Sequence, residues 1–114
     1  MTSTTQISLY QGNSATFQVT VKDNLGNPQD LTGGEIIFRI WTDYQTFLEL
    51  KNEAAGGSDS EILIINPPAD GIFQIYFVPE NTESIMEGTY FYNIVITLGG
   101  VVKTLISSIF TIMV

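Results

Sequence analysis

The side chains that most often carry chemistry are scarce in this sequence. It has no histidine, so the commonest general base and transition-metal ligand is missing, and no cysteine, which rules out thiolate nucleophiles, zinc-thiolate centres and disulfides. What remains is carboxylates, one tryptophan and five tyrosines. The densest carboxylate stretch, Asp23-Asn24-Leu25-Gly26-Asn27-Pro28-Gln29-Asp30, has the composition of a calcium loop. It lacks the downstream bidentate glutamate at the EF-hand offset, so a plain turn is the expected reading. Gly56-Gly57 is followed by neither Lys-Ser/Thr nor a helical pattern, so no phosphate cradle is expected there. Trp41 and the tyrosines could form a stacking platform for a carbohydrate, but a lone tryptophan among strand residues fits a protein interface better. An enzyme would need a carboxylate pair, and most acidic residues here fall in turns, where they are solvated. The expectation is a non-enzymatic protein with no catalytic residue, no metal site and no cofactor.

The elements that position these residues follow from alternation. Ser14–Lys22 sets Ala15, Phe17, Val19 and Val21 against Ser14, Thr16, Gln18, Thr20 and Lys22, the pattern of a half-buried strand. Glu35–Trp41 places Ile36, Phe38 and Ile40 on one face and Ile37, Arg39 and Trp41 on the other. Gly88–Ile96 opens on glycine and repeats Tyr90, Tyr92, Ile94 and Ile96 with period two. Shorter strands are predicted at Ile7–Tyr10, at Phe47–Lys51 with Leu48 and Leu50 inward, and at Glu61–Asn66. Asp70-Gly71 then turns the chain into Ile72–Val78. Asn52–Ser60 reads as a mobile loop, and Pro79–Glu87 as a helical turn with Ile85 or Met86 plugging one end of the core. Leu98-Gly99-Gly100-Val101 reads as a tight hairpin into Val101–Val114, where a bulge is expected near Ser107-Ser108 and Phe110, Ile112 and Val114 face inward.

At 114 residues the chain suits one domain spanning 1–114, burying roughly two-thirds of the surface its unfolded form exposes. About seven strands with frequent turn signals and no long helix indicate an all-β, immunoglobulin-like antiparallel β-sandwich. In such domains a tyrosine near the start of the sixth strand bonds back to upstream backbone, two residues before a core position. Tyr90 suits the first place and Tyr92 the second; the alternative is that both are ordinary strand residues.

Twelve acidic against four basic residues give a net charge of −8, which disfavours nucleic acid as a partner. Charged residues are 14% of the chain, against about 25% in an average soluble domain. Either part of the apolar surface is kept for partners, or Ser, Thr, Asn and Gln do the solubilising. The first residues carry neither a basic region nor an apolar stretch of signal-peptide length, so no signal peptide is expected. Phe91–Val114 is apolar, but Gly99-Gly100 and Lys103 interrupt it, and no membrane span is expected.

Three pieces in order carry a resemblance: Gln11-Gly12-Asn13-Ser14-Ala15-Thr16-Phe17, Asp30-Leu31-Thr32-Gly33-Gly34 and Glu87-Gly88-Thr89-Tyr90-Phe91-Tyr92. Together they resemble the immunoglobulin-like domain of phage baseplate upper proteins and related small virion proteins. In that family a Gly-Asp/Asn-x-x-x-Phe strand, an Asp-Leu-Thr-Gly linker and a Gly-x-Tyr-x-Tyr strand recur. The 23–28 turn is also similar to that of bacterial adhesin immunoglobulin repeats. The phage resemblance implies a virion structural protein made in the host cytoplasm, with other virion proteins as partners and homo-oligomerisation open. Family members continue into a fibre-like segment that bears receptor-binding parts. With the chain ending at Val114, an adaptor, decoration or plug role is the expectation. In an immunoglobulin-like sandwich the strands at 35–41, 88–96 and 101–114 share a sheet. Its outward face would then present Ile37, Arg39, Trp41, Phe91, Val95, Ile109 and Met113 as an interface, unless the Asn52–Ser60 loop or the N-terminal segment covers it.

Overall fold

The computed structural model describes residues 6–43, 45–55 and 61–114. Eight strands occupy most of them: β1 (Ile7–Tyr10), β2 (Ala15–Thr20), β3 (Glu35–Trp41), β4 (Thr46–Lys51), β5 (Ile62–Ile64), β6 (Ile72–Phe77), β7 (Gly88–Leu98) and β8 (Val101–Met113). They form a five-stranded sheet in the order β1-β8-β7-β3-β4 and a three-stranded sheet in the order β2-β6-β5, an all-β, sandwich-like arrangement. The only α-helical turn among the described residues is α1 (Pro79–Thr82), and none of their helices is long and apolar enough to cross a membrane.

Cross-strand neighbours share a face, so the register decides what is buried. In the larger sheet Ile36, Phe38 and Ile40 stand opposite Ile96, Ile94 and Tyr92, and all six are at most 1% exposed. In the smaller sheet Ala15, Phe17 and Val19 stand opposite Phe77, Ile75 and Phe73. The sheets meet through aromatic rings. Phe38 contacts Phe77 of the facing sheet edge-on at 5.3 Å, and Tyr92 and Phe110 of its own sheet at 5.5 and 6.0 Å. Burial pushes the Tyr92 phenol above its ordinary pKa, because the charged form would lose its hydration.

The β7–β8 hairpin closes through Gly99 and Gly100, both in the left-handed region at φ 56 and 83, as a two-residue turn matched to strand twist requires. Gly71, at φ 71, is held by crowding as well. A Cβ there would lie 2.6 Å from the Val21 carbonyl oxygen, because Val21 N–H donates to the Gly71 carbonyl at 2.7 Å.

Several expectations are corrected. The arrangement is not wholly antiparallel: β1 runs parallel to β8, with Ile7 opposite Phe110 and Tyr10 opposite Met113. Because β8 ends with that pairing, Val114 is 80% exposed instead of facing inward. The bulge lies at Leu105, not at the serines. Ile94 opposes Ile106 while Val95 opposes Thr104, so Leu105 is the extra residue, and it and Ile106 both pack against the core. Two adjacent apolar residues can reach the same core only if the alternation breaks between them. A second register shift in β4 frees Phe47 to pack on Tyr90 at 5.0 Å, beside the inward Leu50. Ile85 is the plug, at 4% exposed, whereas Met86 is 78% exposed.

Asn52 departs furthest from expectation. Placed at the start of a mobile loop by the sequence reading, it is buried at 4% and clasps the start of β3. Its Oδ1 accepts from Ile36 N–H at 3.0 Å and Ala55 N–H at 3.1 Å, and its Nδ2 donates to the Gly34 carbonyl at 2.7 Å. Gly56–Ser60, the rest of that loop, lies outside the described residues. Replacing Asn52 by alanine strands buried backbone groups without partners. Asn52→Ala is expected to lower unfolding free energy by about 2–4 kcal/mol, read from urea denaturation, and Asn52→Asp should not recover it, because a buried carboxylate oxygen would face the Gly34 carbonyl in place of the Nδ2 donor.

Candidate functional site

Because Phe38, Tyr92 and Phe110 point into the core, their strand neighbours must point out. On the outer face of the five-stranded sheet Ile37 stands opposite Val95, Arg39 opposite Asn93 and Trp41 opposite Phe91; Phe91 in turn stands opposite Ile109. The Trp41 and Phe91 rings pack at 6.0 Å between centroids with an interplanar angle of 37°. Phe91 remains 49% exposed, and Ile37, Trp41, Val95, Ile109 and Met113 are half-buried. All seven residues named from the sequence as an interface (Ile37, Arg39, Trp41, Phe91, Val95, Ile109 and Met113) lie on strands of this one sheet, at outward register positions.

Tyr10, 54% exposed, was missed by the sequence reading. The parallel pairing of β1 sets it opposite Met113 and extends the apolar face beyond β8. Nothing in a four-residue strand without a hairpin signal announces a parallel partner 100 residues away. At the other margin, Glu49 of β4 takes Arg39 Nε on Oε2 at 2.5 Å and Lys51 Nζ on Oε1 at 3.1 Å. These donors, Arg39 first, hold the Glu49 carboxyl below its ordinary pKa. Arg39 is therefore tied to its neighbour at the margin of the patch. Near the middle, the buried Oδ1 of Asn93 has no hydrogen-bond partner among the described residues.

The exterior of the smaller sheet differs. There Thr16 opposes Tyr76 and Gln18 opposes Gln74, with the Gln74 amide donating to Gln18 Oε1 at 3.3 Å and the Tyr76 hydroxyl bonding Gln74. The 23–30 stretch is a hydrogen-bonded turn. Asp23 Oδ1 accepts from the N–H groups of Leu25 and Asn27 at 2.9 and 3.0 Å, and Asp30 Oδ1 from the hydroxyl and N–H of Thr32 at 2.6 and 2.9 Å. Those Thr32 bonds lower the Asp30 pKa. Among the described residues no group of three or more Asp or Glu side chains is placed to hold a metal ion.

No protein-family model and no curated protein matches the sequence. Among solved structures, the fold is similar to the N-terminal domain of phage TP901-1 ORF48. The TM-score is 0.51 at 11% sequence identity, over 95% of this chain and 84% of that one. The likeness is one of fold, and it takes in both sheets.

Tyr90 sits below the patch on the same strand, with its ring inward and its hydroxyl donating to the Met86 carbonyl at 2.6 Å. That bond ties the α1–β7 connection to the strand on which Phe91 is displayed. Tyr90→Phe is expected to cost about 1 kcal/mol of stability, measured by thermal or urea unfolding; parental stability would remove the tie from the account. The ion pairs give a pH signature. A carboxyl held low in the folded state stabilises the fold above its unfolded pKa and ceases to do so as pH falls through the folded value. Glu49 is partly exposed, so solvent screening limits the effect to about 0.5 kcal/mol or less. Between about pH 5 and 3 the parent should lose that increment relative to Glu49→Gln in paired denaturation curves.

Proposed function

We propose that this chain is a non-enzymatic structural module of a phage virion. In this reading it is an immunoglobulin-like adaptor of the tail, baseplate or fibre-attachment region, docked on a neighbouring virion protein by the outer face of its five-stranded sheet. The observation that carries the reading is the packed Trp41–Phe91 pair amid half-buried aliphatic residues on a sheet face that no described segment covers. Aromatic residues, methionine and arginine are the types enriched where proteins meet.

Three further observations support it. The strand order β1-β8-β7-β3-β4 over β2-β6-β5 suits an immunoglobulin-like sandwich, in which the third, sixth and seventh strands of the core fold share a sheet. The fold is similar to a domain of a phage protein. The size of the face is also suitable. Five strands at ~4.8 Å spacing and an eleven-residue β7 at ~3.3 Å per residue outline roughly 19 by 36 Å, close to the ~800 Å² that each partner buries in a standard interface.

The face can be altered without touching the core, since Trp41 and Phe91 point away from it. Trp41→Ser combined with Phe91→Ser is expected to leave circular dichroism and melting close to the parent. The same variant should be depleted from purified particles by tenfold or more, as counted by mass spectrometry against another virion protein. Normal incorporation of a folded double variant would overturn the docking assignment.

A further inference from the structure

A groove of about 680 Å³ opens between the two sheets, on the side where β2 faces the first half of β8. Its apolar lining comes from Phe17 and Val19 of β2, Leu98 of β7, and Leu105 and Ile106 of β8, all half-buried rather than sealed, and polar side chains such as Gln29 make up much of the rest. The cause is topological. Among the described residues, β2 is the last strand of the smaller sheet, and β1 pairs with β8 from Phe110 to Met113. Among the described residues, the edges of β2 and of residues 101–107 of β8 therefore flank this groove with no neighbouring strand on either.

Charge marks the same place. The chain has four basic residues and a net charge of −8. Arg39 and Lys51 are held by Glu49 on the far side of the larger sheet, whereas Lys22 and Lys103 both line the groove, and no described carboxylate bridges either of them. The bulge at Leu105 is what brings Lys103 there. It shifts the alternation so that Lys103, not Thr104, stands opposite the inward Ile96.

We infer that this groove accepts an extended segment of another protein, added as a strand to one of the two free edges, with alternate apolar side chains on Phe17, Val19 and Ile106 and an acidic residue at Lys22 or Lys103. Strand addition draws affinity from main-chain bonds and specificity from alternate side chains, and both are provided for here. The chain's own first residues, Met-Thr-Ser-Thr-Thr-Gln, contain no acid to meet the lysines and a single apolar side chain. A second copy would bring a net charge of −8 against another of −8, which opposes self-association.

The probe is a fluorescein-labelled octapeptide of alternating valine and threonine with aspartate at both ends, titrated by anisotropy into the full chain. Saturable binding is expected, about tenfold tighter than for the same peptide ended in lysine, as two partly exposed ion pairs allow. Lys22→Glu with Lys103→Glu, both exposed positions, should reverse that preference. N-methylation of alternate peptide amides should abolish binding on the edge-pairing register, and Trp41→Ser with Phe91→Ser should leave it intact. Absence of saturable binding up to millimolar peptide, a preference that survives charge reversal, or unchanged affinity for both N-methylated registers would overturn the inference. So would binding seen only after residues 1–5 are deleted, which would give the groove to the chain's own terminus. A dimer in sedimentation that the charge reversal dissolves would give it to a second copy.

Discussion

With no cysteine in the sequence, no disulfide can tie the two sheets, and their alignment rests on side chains meeting across the middle. The rings of Phe38 and Phe110 meet Phe77 of the facing sheet there, and Phe38 fixes the parity of its strand. Phe38 touches Phe77 across the sandwich and Tyr92 and Phe110 along its own sheet, all at the edge-on or tilted separations that aromatic rings favour. Fixing Phe38 inward fixes Ile37 and Arg39 outward, and the pairing of β3 with β7 carries the same parity to Phe91, Asn93 and Val95. A slip of one residue would put Trp41 and Arg39 into the core and Phe38 into water, so the register is strongly specified. The outer apolar face is thus a dependent of the core: its composition follows from the residues left over once Phe38, Tyr92 and Ile94 are buried.

The free edges of the sheets are treated unequally. At the β4 edge, Glu49 and Lys51 with Arg39 place charge where another strand would otherwise pair, a common way to discourage edge-to-edge association. β5 is only three residues long and β1 only four, which limits what either edge can recruit. Among the described residues β2 and the first half of β8 have no such protection beyond Lys22 and Lys103, and they face each other across the groove.

How much of this was legible in the sequence depends on the range of the interactions. The strands β2, β3, β6 and β7 show in their own alternation, because each buries one face and exposes the other. The inward set Ile36, Phe38, Ile40, Tyr92 and Ile94 follows from the same period. Asn52 was not legible, since its role depends on the backbone of Gly34 and Ile36, brought beside it by the β3–β4 pairing. The bulge at Leu105 was misplaced because a pair of serines looks like a break in alternation, whereas the break is forced by two neighbouring apolar residues sharing the core. Tyr10 joined the outer face only through a parallel pairing that spans almost the whole chain. The groove was invisible for a related reason: it is defined by which strands lack a neighbour, a property of the topology.

The distribution of the four basic residues links the two surfaces. At physiological salt, charges act over about 8 Å, so the overall −8 matters less to a docked partner than the few charges beside it. At the outer face Arg39 and Lys51 surround Glu49, leaving that margin locally one charge positive in an otherwise acidic protein. At the groove, Lys22 and Lys103 against the adjacent Asp23 likewise leave one. The acidic turns, by contrast, hold carboxylates such as Asp23 and Asp30 in bonds to their own backbone. Both proposed contact surfaces are therefore the less acidic parts of the molecule, and they call for different partner shapes: a broad apolar surface for the sheet face and a single extended chain for the groove. Because one surface is the outside of the larger sheet and the other opens between the sheets, occupation of one leaves the other accessible. A partner that supplied both a flat surface and a short acidic strand on a linker would engage the second site at a high effective concentration once bound at the first. Two individually weak contacts would then suffice to hold this small domain in place.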